Sequence, residues 1–200
     1  MKENNLVKIL IPIVAVIVVI ESVLLVSNLS KNESVVTVDN ITPTEEVEKI
    51  EAPVADFVFA TDTKEMKVGK SYEVILNLVG KQNLTLDGIE TYVKYDPEKI
   101  TVSKLISGKT LPKAEISKID SKLGTISNVL LIDDVKGYVV KSNEINKVIS
   151  FTVTPKKEGL ITLELITSSE DKKSVTMIVE TTTSKSLTFS SNKLEINATK

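Results

Sequence analysis

Two hundred residues, 42% hydrophobic and 26% charged with a formal net charge of −2, are the composition of one folded domain with accessory segments. The chain has no Cys, His or Trp, and all 25 basic residues are lysine, which excludes Ser-His-Asp triads, thiolate nucleophiles, haem and iron–sulfur ligation and the usual zinc sites. What survives is carboxylate chemistry, a Ser-Lys pair or a hard cation held by oxygens, and no cofactor is expected.

The first element is apolar. Leu6 to Val26 is a run of 21 residues in which only Lys8, Glu21 and Ser22 are polar. About 20 apolar residues in a helix cross the hydrocarbon layer, and Lys8 and Glu21 can snorkel toward the two interfaces. The spacing predicts a single transmembrane helix within residues 1–29, with residues 6–26 in the membrane. A cleaved signal peptide is the rival reading, but no A-x-A-like site follows Val26. Lys2 and Lys8 before the span place the N-terminus in the cytoplasm and the rest of the chain outside the cell.

Residues 30–55 are polar and acidic: Lys31 and Lys49 stand against Glu33, Asp39, Glu45, Glu46, Glu48 and Glu51, with Pro43 and Pro53 around the densest part. Such a stretch has little to bury and repels itself, so a flexible linker is expected.

From residue 56 to 200 the pattern changes to short segments of period two, the signature of strands. Tyr72, Val74, Leu76 and Leu78 form one. Ile149, Phe151 and Val153 form the clearest, followed by Ile161, Leu163 and Leu165, then Val175, Met177 and Val179 against Thr176 and Glu180. Leu194 and Ile196 close the chain. All seven glycines fall in this region, between segments or at their edges. The expectation is an all-β Greek-key sandwich large enough to fold without disulfides. Its charges are scattered singly, and no basic stripe with interleaved aromatics exists, so no nucleic-acid partner is expected.

The segment LDGIETYVKYDPEKITV, Leu86 to Val102, resembles the signature of the cohesin domain family, with Tyr95, Asp96 and Pro97 in the places of its aromatic-Asp-Pro turn. KVGKSYEVILNLVG (Lys67 to Gly80) is similar to the family's opening strand, and NKVISFTVTPKKEGLITLEL (Asn146 to Leu165) to a late strand, charged turn and following strand. The resemblance implies a nine-stranded jelly-roll sandwich that holds a dockerin-like protein through one flat face. Carried onto this chain, that face includes Glu90 and Tyr92, with Asp133, Gly137 and Tyr138 at and beyond the end of the run from Thr125 to Asp134. Physics gives the Asp-Pro element its own reading, a structural turn. Pro fixes the first turn position and the Asp oxygen accepts from a following N–H. Period two then puts Ile89, Thr91, Val93 and Tyr95 on one face and Glu90, Tyr92 and Lys94 on the other.

Three function classes remain. The first is a non-catalytic, membrane-anchored docking module on the outside of a prokaryotic cell, the prokaryotic origin being inferred from enrichment in Lys, Ile and Asn. The second is a polysaccharide-binding module, for which Tyr92 and Tyr138 would have to form a coplanar exposed pair. The third, an enzyme, is disfavoured because adjacent Asp133 and Asp134 point to opposite sides of a strand. No metal site is expected, since the chain lacks a D-x-D-x-D-G spacing.

Overall fold

The computed structural model describes residues 51–168 and 174–200. The expected membrane helix and nearly all of the expected linker lie outside the described residues. Among the described residues no helix is long and apolar enough to cross a membrane.

Thirteen strands follow one another: β1 (Ala55–Ala60), β2 (Glu65–Lys67), β3 (Tyr72–Gly80), β4 (Leu84–Lys94), β5 (Ile100–Ser107), β6 (Ile116–Asp120), β7 (Thr125–Leu131), β8 (Tyr138–Val140), β9 (Ile145–Pro155), β10 (Gly159–Leu165), β11 (Met177–Glu180), β12 (Phe189–Ser191) and β13 (Leu194–Thr199). The sequence predicts nine, and the structure corrects that number. β2, β8, β11 and β12 are only three or four residues long, too short to display a period.

Two sheets form the sandwich. One runs β12-β1-β3-β9-β5, and the other β2-β13-β10-β4-β7-β6, with β8 and β11 also paired to β4. All pairings are antiparallel except β1 with β12 and β2 with β13. The sheets are held together by the inward set of each strand. Phe57, Val74, Leu76, Leu78, Phe151 and Val153 come from the five-stranded sheet, and Leu86, Ile89, Val93, Ile126, Leu130 and Leu163 from the other, all at most 1% exposed. Burying each such side chain contributes roughly 1.5–3 kcal/mol. The alternation expected around Ile149–Val153 and Ile161–Leu165 is what the core uses. In β11 the phase differs: Thr176 and Ile178 are buried, whereas Met177 and Val179 are half-exposed.

β4 is the axis of the eight-stranded sheet. It pairs with β7 over Gly88–Lys94 and with β8 over Leu84–Leu86, while β11 and β10 occupy its opposite side. Its inward residues are Leu84 and Leu86, then Ile89, Thr91 and Val93, a phase change of one residue at Asp87 and Gly88. The cause is a bulge: Val179 pairs with Gly88 but Glu180 pairs with Leu86, leaving Asp87 unopposed by β11. The bulge fixes which side chains of β4 reach the outer face.

Candidate protein-docking face

The outer face is built from the residues of β4, β6, β7, β8 and β11 that the core does not take. On β4 these are Glu90, Tyr92 and Lys94. Cross-strand register extends them into rows: Met177, Glu90, Val129 and Ile116 lie side by side, and Val179, Gly88 and Leu131 form the row above. Val139 opposes Thr85 one step further along β4. Ile116 and Leu131 are 52% and 56% exposed, and Val139 is similarly open. Val129 is only 7% exposed although its register places it on the outer side. The result is an apolar strip crossing the sheet, interrupted by Glu90, of the kind that marks an interaction surface.

Glu90 sits within this strip, and Tyr92 in the next row, beside Ser127 and Lys118. The Tyr92 hydroxyl donates to Glu90 Oε2 at 3.3 Å. Partial burial, and secondarily the Glu90 charge, push the Tyr92 phenol above its ordinary pKa, so it stays a donor. Tyr92 is held from behind: its N–H donates to Thr176 Oγ1 at 3.1 Å, and its C=O accepts from Ile166 N–H at 2.8 Å. Buried Thr176 therefore replaces a missing ladder bond where β10 gives way to β11. Glu65, Asp120 and Glu164 on the same sheet each have a lysine within 4 Å, but Glu90 has none among the described residues.

The other residues singled out by the sequence lie elsewhere. Tyr138 opposes Leu86, a core residue, so its ring turns inward against the core. Its hydroxyl donates to the Thr110 carbonyl at 2.6 Å, and burial raises its pKa. Tyr92 and Tyr138 therefore occupy opposite sides of the sheet and form no coplanar pair. Asp133 is exposed in the loop between β7 and β8. Asp134 closes that loop by accepting from Lys136 N–H at its carboxylate and from Gly137 N–H at its carbonyl. Gly137 has φ +66°, and a Cβ there would meet the side chains of Thr181 and Thr85.

Tyr95, Asp96 and Pro97 form the turn from β4 to β5, which carries the chain from one sheet to the other. Asp96 Oδ1 accepts from Glu98 N–H at 2.8 Å, and the Asp96 carbonyl accepts from Lys99 and Ile100. Tyr95 is 4% exposed, and its N–H donates to the Gly124 carbonyl at 2.8 Å. Gly124 has φ +65°, and a Cβ there would sit 2.3 Å from the Tyr95 carbonyl oxygen, so only glycine fits. A groove of about 380 Å³ beside this turn, lined by Pro97, Leu123 and Leu160 among others, does not include the Glu90–Tyr92 pair.

Sequence reasoning did not place Ile116, Val129, Leu131 and Val139 on this face, and it took Met177 and Val179 for the core-facing set of their strand. A signal existed: Val129, Leu130 and Leu131 are three apolar residues in succession, and a strand must turn at least one of them outward.

This two-sheet arrangement matches solved structures closely in outline and weakly in sequence. The third cohesin ScaC of Acetivibrio cellulolyticus, solved with the ScaB dockerin, superposes with a TM-score of 0.58 at 11% identity, covering 73% of this chain and 99% of that one. The fold is that of a cohesin. The Coh-OlpC module of Clostridium thermocellum, solved in complex with Doc435, gives 0.56 at 15% identity over 74% of this chain and 96% of that one. A non-cellulosomal cohesin from the archaeon Archaeoglobus fulgidus gives 0.54 at 10% identity, over 74% and 93% of the two chains. No family model matches the sequence, and no curated protein matches it. The resemblance carried by Leu86–Val102 and its flanking segments thus holds at the level of fold.

Proposed function

We propose that this chain is a non-catalytic cohesin-type module that docks a dockerin-like protein through the outer face of its eight-stranded sheet. The observation that carries the reading is the strip itself: Glu90, half-buried and with no lysine within 4 Å among the described residues, lies in a row of apolar side chains with Tyr92 beside it. A carboxylate so placed favours a partner that supplies a hydrogen-bond donor as well as apolar contact. The solved complexes of cohesins with dockerins support a partner of that kind. Residues 6–26 would anchor the module in the cell membrane with a cytoplasmic N-terminus, and the acidic residues 30–55 would hold it away from an extracellular surface. A polysaccharide partner has less support, since Tyr92 and Tyr138 do not share a face.

The test is capture from membrane and extracellular fractions of the source cells on the full-length chain in detergent, beside a Glu90→Ala, Tyr92→Ala variant and with insoluble polysaccharides in parallel. The proposal expects one protein retained by the wild type and lost by the double variant. Retention on polysaccharide with no protein captured would replace it with the carbohydrate reading.

A further inference from the structure

Among the described residues the eight-stranded sheet ends at β6 in an edge with no paired strand. Its hydrogen-bonding direction follows from the ladder inside it. Ile132 N–H donates to the Asp87 carbonyl at 2.8 Å, which makes Gly88 and Leu131 a non-hydrogen-bonded pair. Alternation then sends Ile126, Asn128 and Leu130 toward β4, and Thr125, Ser127 and Val129 toward β6. Their partners are Asp120, Lys118 and Ile116. Ser117 and Ile119 are left with N–H and C=O groups directed away from β7, and none of these has a partner among the described residues.

The other exposed edge of comparable length is guarded. β5 has a register break between Ser103 and Ile106, with Lys104 at φ +50° inside it, the kind of irregularity that discourages an added strand. β6 has no such break along its pairing with β7 from Ile116 to Asp120. Its protection is its length, one lysine, Lys118, and the neighbouring β5 of the other sheet; just before it, Glu115 N–H donates to the Val129 carbonyl. That lysine lies two residues from Asp120, on the same outer face and 3.9 Å from its carboxylate.

We infer that β6 pairs antiparallel with β6 of a second copy of this chain, in the register centred on Ile119. Charge selects both occupant and register. Centred on Ile119, each Lys118 lies directly opposite the other copy's Asp120, giving two cross-strand ion pairs in the close, non-hydrogen-bonded positions. Centred one residue earlier, Lys118 would face Lys118, a repulsive contact. The chosen register also brings the free N–H and C=O of Ile119 against the same groups of the other copy. The two-fold axis is then perpendicular to the sheet, so both outer faces point the same way and lie side by side. Two partner sites so displayed gain avidity for a divalent partner without any new contact to it. The edge pairing does not depend on what the outer face binds. A five-residue edge buries little, so the association is weak in dilute solution and depends on local density.

The chain contains no cysteine, so one introduced cysteine reports one position. The experiment uses the full-length chain in liposomes, oxidised and run without reductant, carrying Ile119→Cys or, on the outer face of the other sheet, Thr152→Cys as the collision control. The inference expects at least about fivefold more disulfide dimer from Ile119→Cys than from Thr152→Cys, with most of the excess lost when Lys118→Glu is added. Equal dimer yields, or a yield indifferent to Lys118→Glu, would overturn it. Sedimentation equilibrium of the cysteine-free chain in detergent, with and without Lys118→Glu, decides the same question should Ile119→Cys fold poorly. The inference expects a concentration-dependent dimer that Lys118→Glu weakens, and identical behaviour of the two chains would reject it.

Discussion

The outer faces of the two sheets are made by the same rule and end up unlike each other. On the five-stranded sheet the outward residues include Ile75, Ile106 and Ile145, but an ion pair between Lys147 and Glu73 at 3.3 Å reaches across β3 and β9 between them, and Thr152, Ser103 and Thr101 fill the rows below. Another pair, Lys81 with Asp56 at 2.9 Å, holds a corner. That face pairs Glu73 and Asp56 with lysines internally, and its apolar residues form smaller groups, Val79 with Ile145 and Ala60 with Ile75. On the eight-stranded sheet more apolar residues lie in adjoining rows, and the carboxylate among them, Glu90, has only a tyrosine hydroxyl as partner among the described residues. The lesson is that apolar exposure alone does not distinguish a docking face. On the proposed reading, an apolar row with a polar group left for a partner to satisfy does.

The comparison can be broken from the inside. Phe151 lies between the sheets, 1% exposed, and supports both faces. Phe151→Ala is expected to lower the unfolding free energy by about 3–5 kcal/mol in urea titration, removing docking with the fold. A loss under about 1 kcal/mol would mean that the ring is not buried as described. The next largest effect separates the faces. Gly124 closes the turn between β6 and β7 of the eight-stranded sheet and packs against the Tyr95–Pro97 turn. Gly124→Ala forces a Cβ against the Tyr95 carbonyl at positive φ and is expected to cost about 2–3 kcal/mol. Amide exchange should then rise first in β6 and β7, and a uniform rise across both sheets would contradict this.

Asp96→Ala removes the bond from Glu98 N–H at the turn that joins the sheets, and about 1 kcal/mol is expected from thermal melts. Asn at the same position should retain most of it, since its side-chain oxygen can accept the same bond.

The smallest expected effect is a pH dependence shared by both faces. Asp56 on the five-stranded sheet is held below the ordinary carboxylate range by a hydrogen bond from Ser190 and then by Lys81. Asp120 on the other is lowered chiefly by the N–H of Leu123. Because both folded values are depressed, their contribution to stability is complete above the unfolded aspartate value of about 3.9. It is lost as pH falls through the folded values. Asp56→Asn and Asp120→Asn should each flatten the acid limb of a denaturant-midpoint curve. An unchanged limb in both would show that neither carboxylate is stabilised in the fold.

Much of this molecule is legible in its sequence, for identifiable reasons. Long strands such as β3 and β9 announce themselves because one of their faces is packed continuously, and Asp96 followed by Pro97 reads as a turn from local chemistry alone. The short ladders do not, since three residues of β2 or β12 contain less than two periods. β11 misleads because its alternating Val175, Met177 and Val179 are not the buried set. Ile178 and Thr176 are. Glu90 and Tyr92 reach the outer face as period two requires. Tyr138 could not be placed from sequence, because its orientation depends on pairing with Leu86 across a loop whose length sets the register.

The central claim, that one outer face docks a partner and the other does not, is tested most directly by placing single lysines on each. Leu131→Lys and Ile116→Lys on the eight-stranded sheet, and Ile106→Lys and Ile145→Lys on the five-stranded sheet, are all exposed enough to leave the core intact. Affinity for the captured partner protein would be measured by surface-immobilised binding kinetics. The account predicts that the first two variants weaken binding by about thirtyfold or more and that the second two stay within about twofold of wild type. Equal losses on both faces, or loss confined to Ile106 and Ile145, would contradict it.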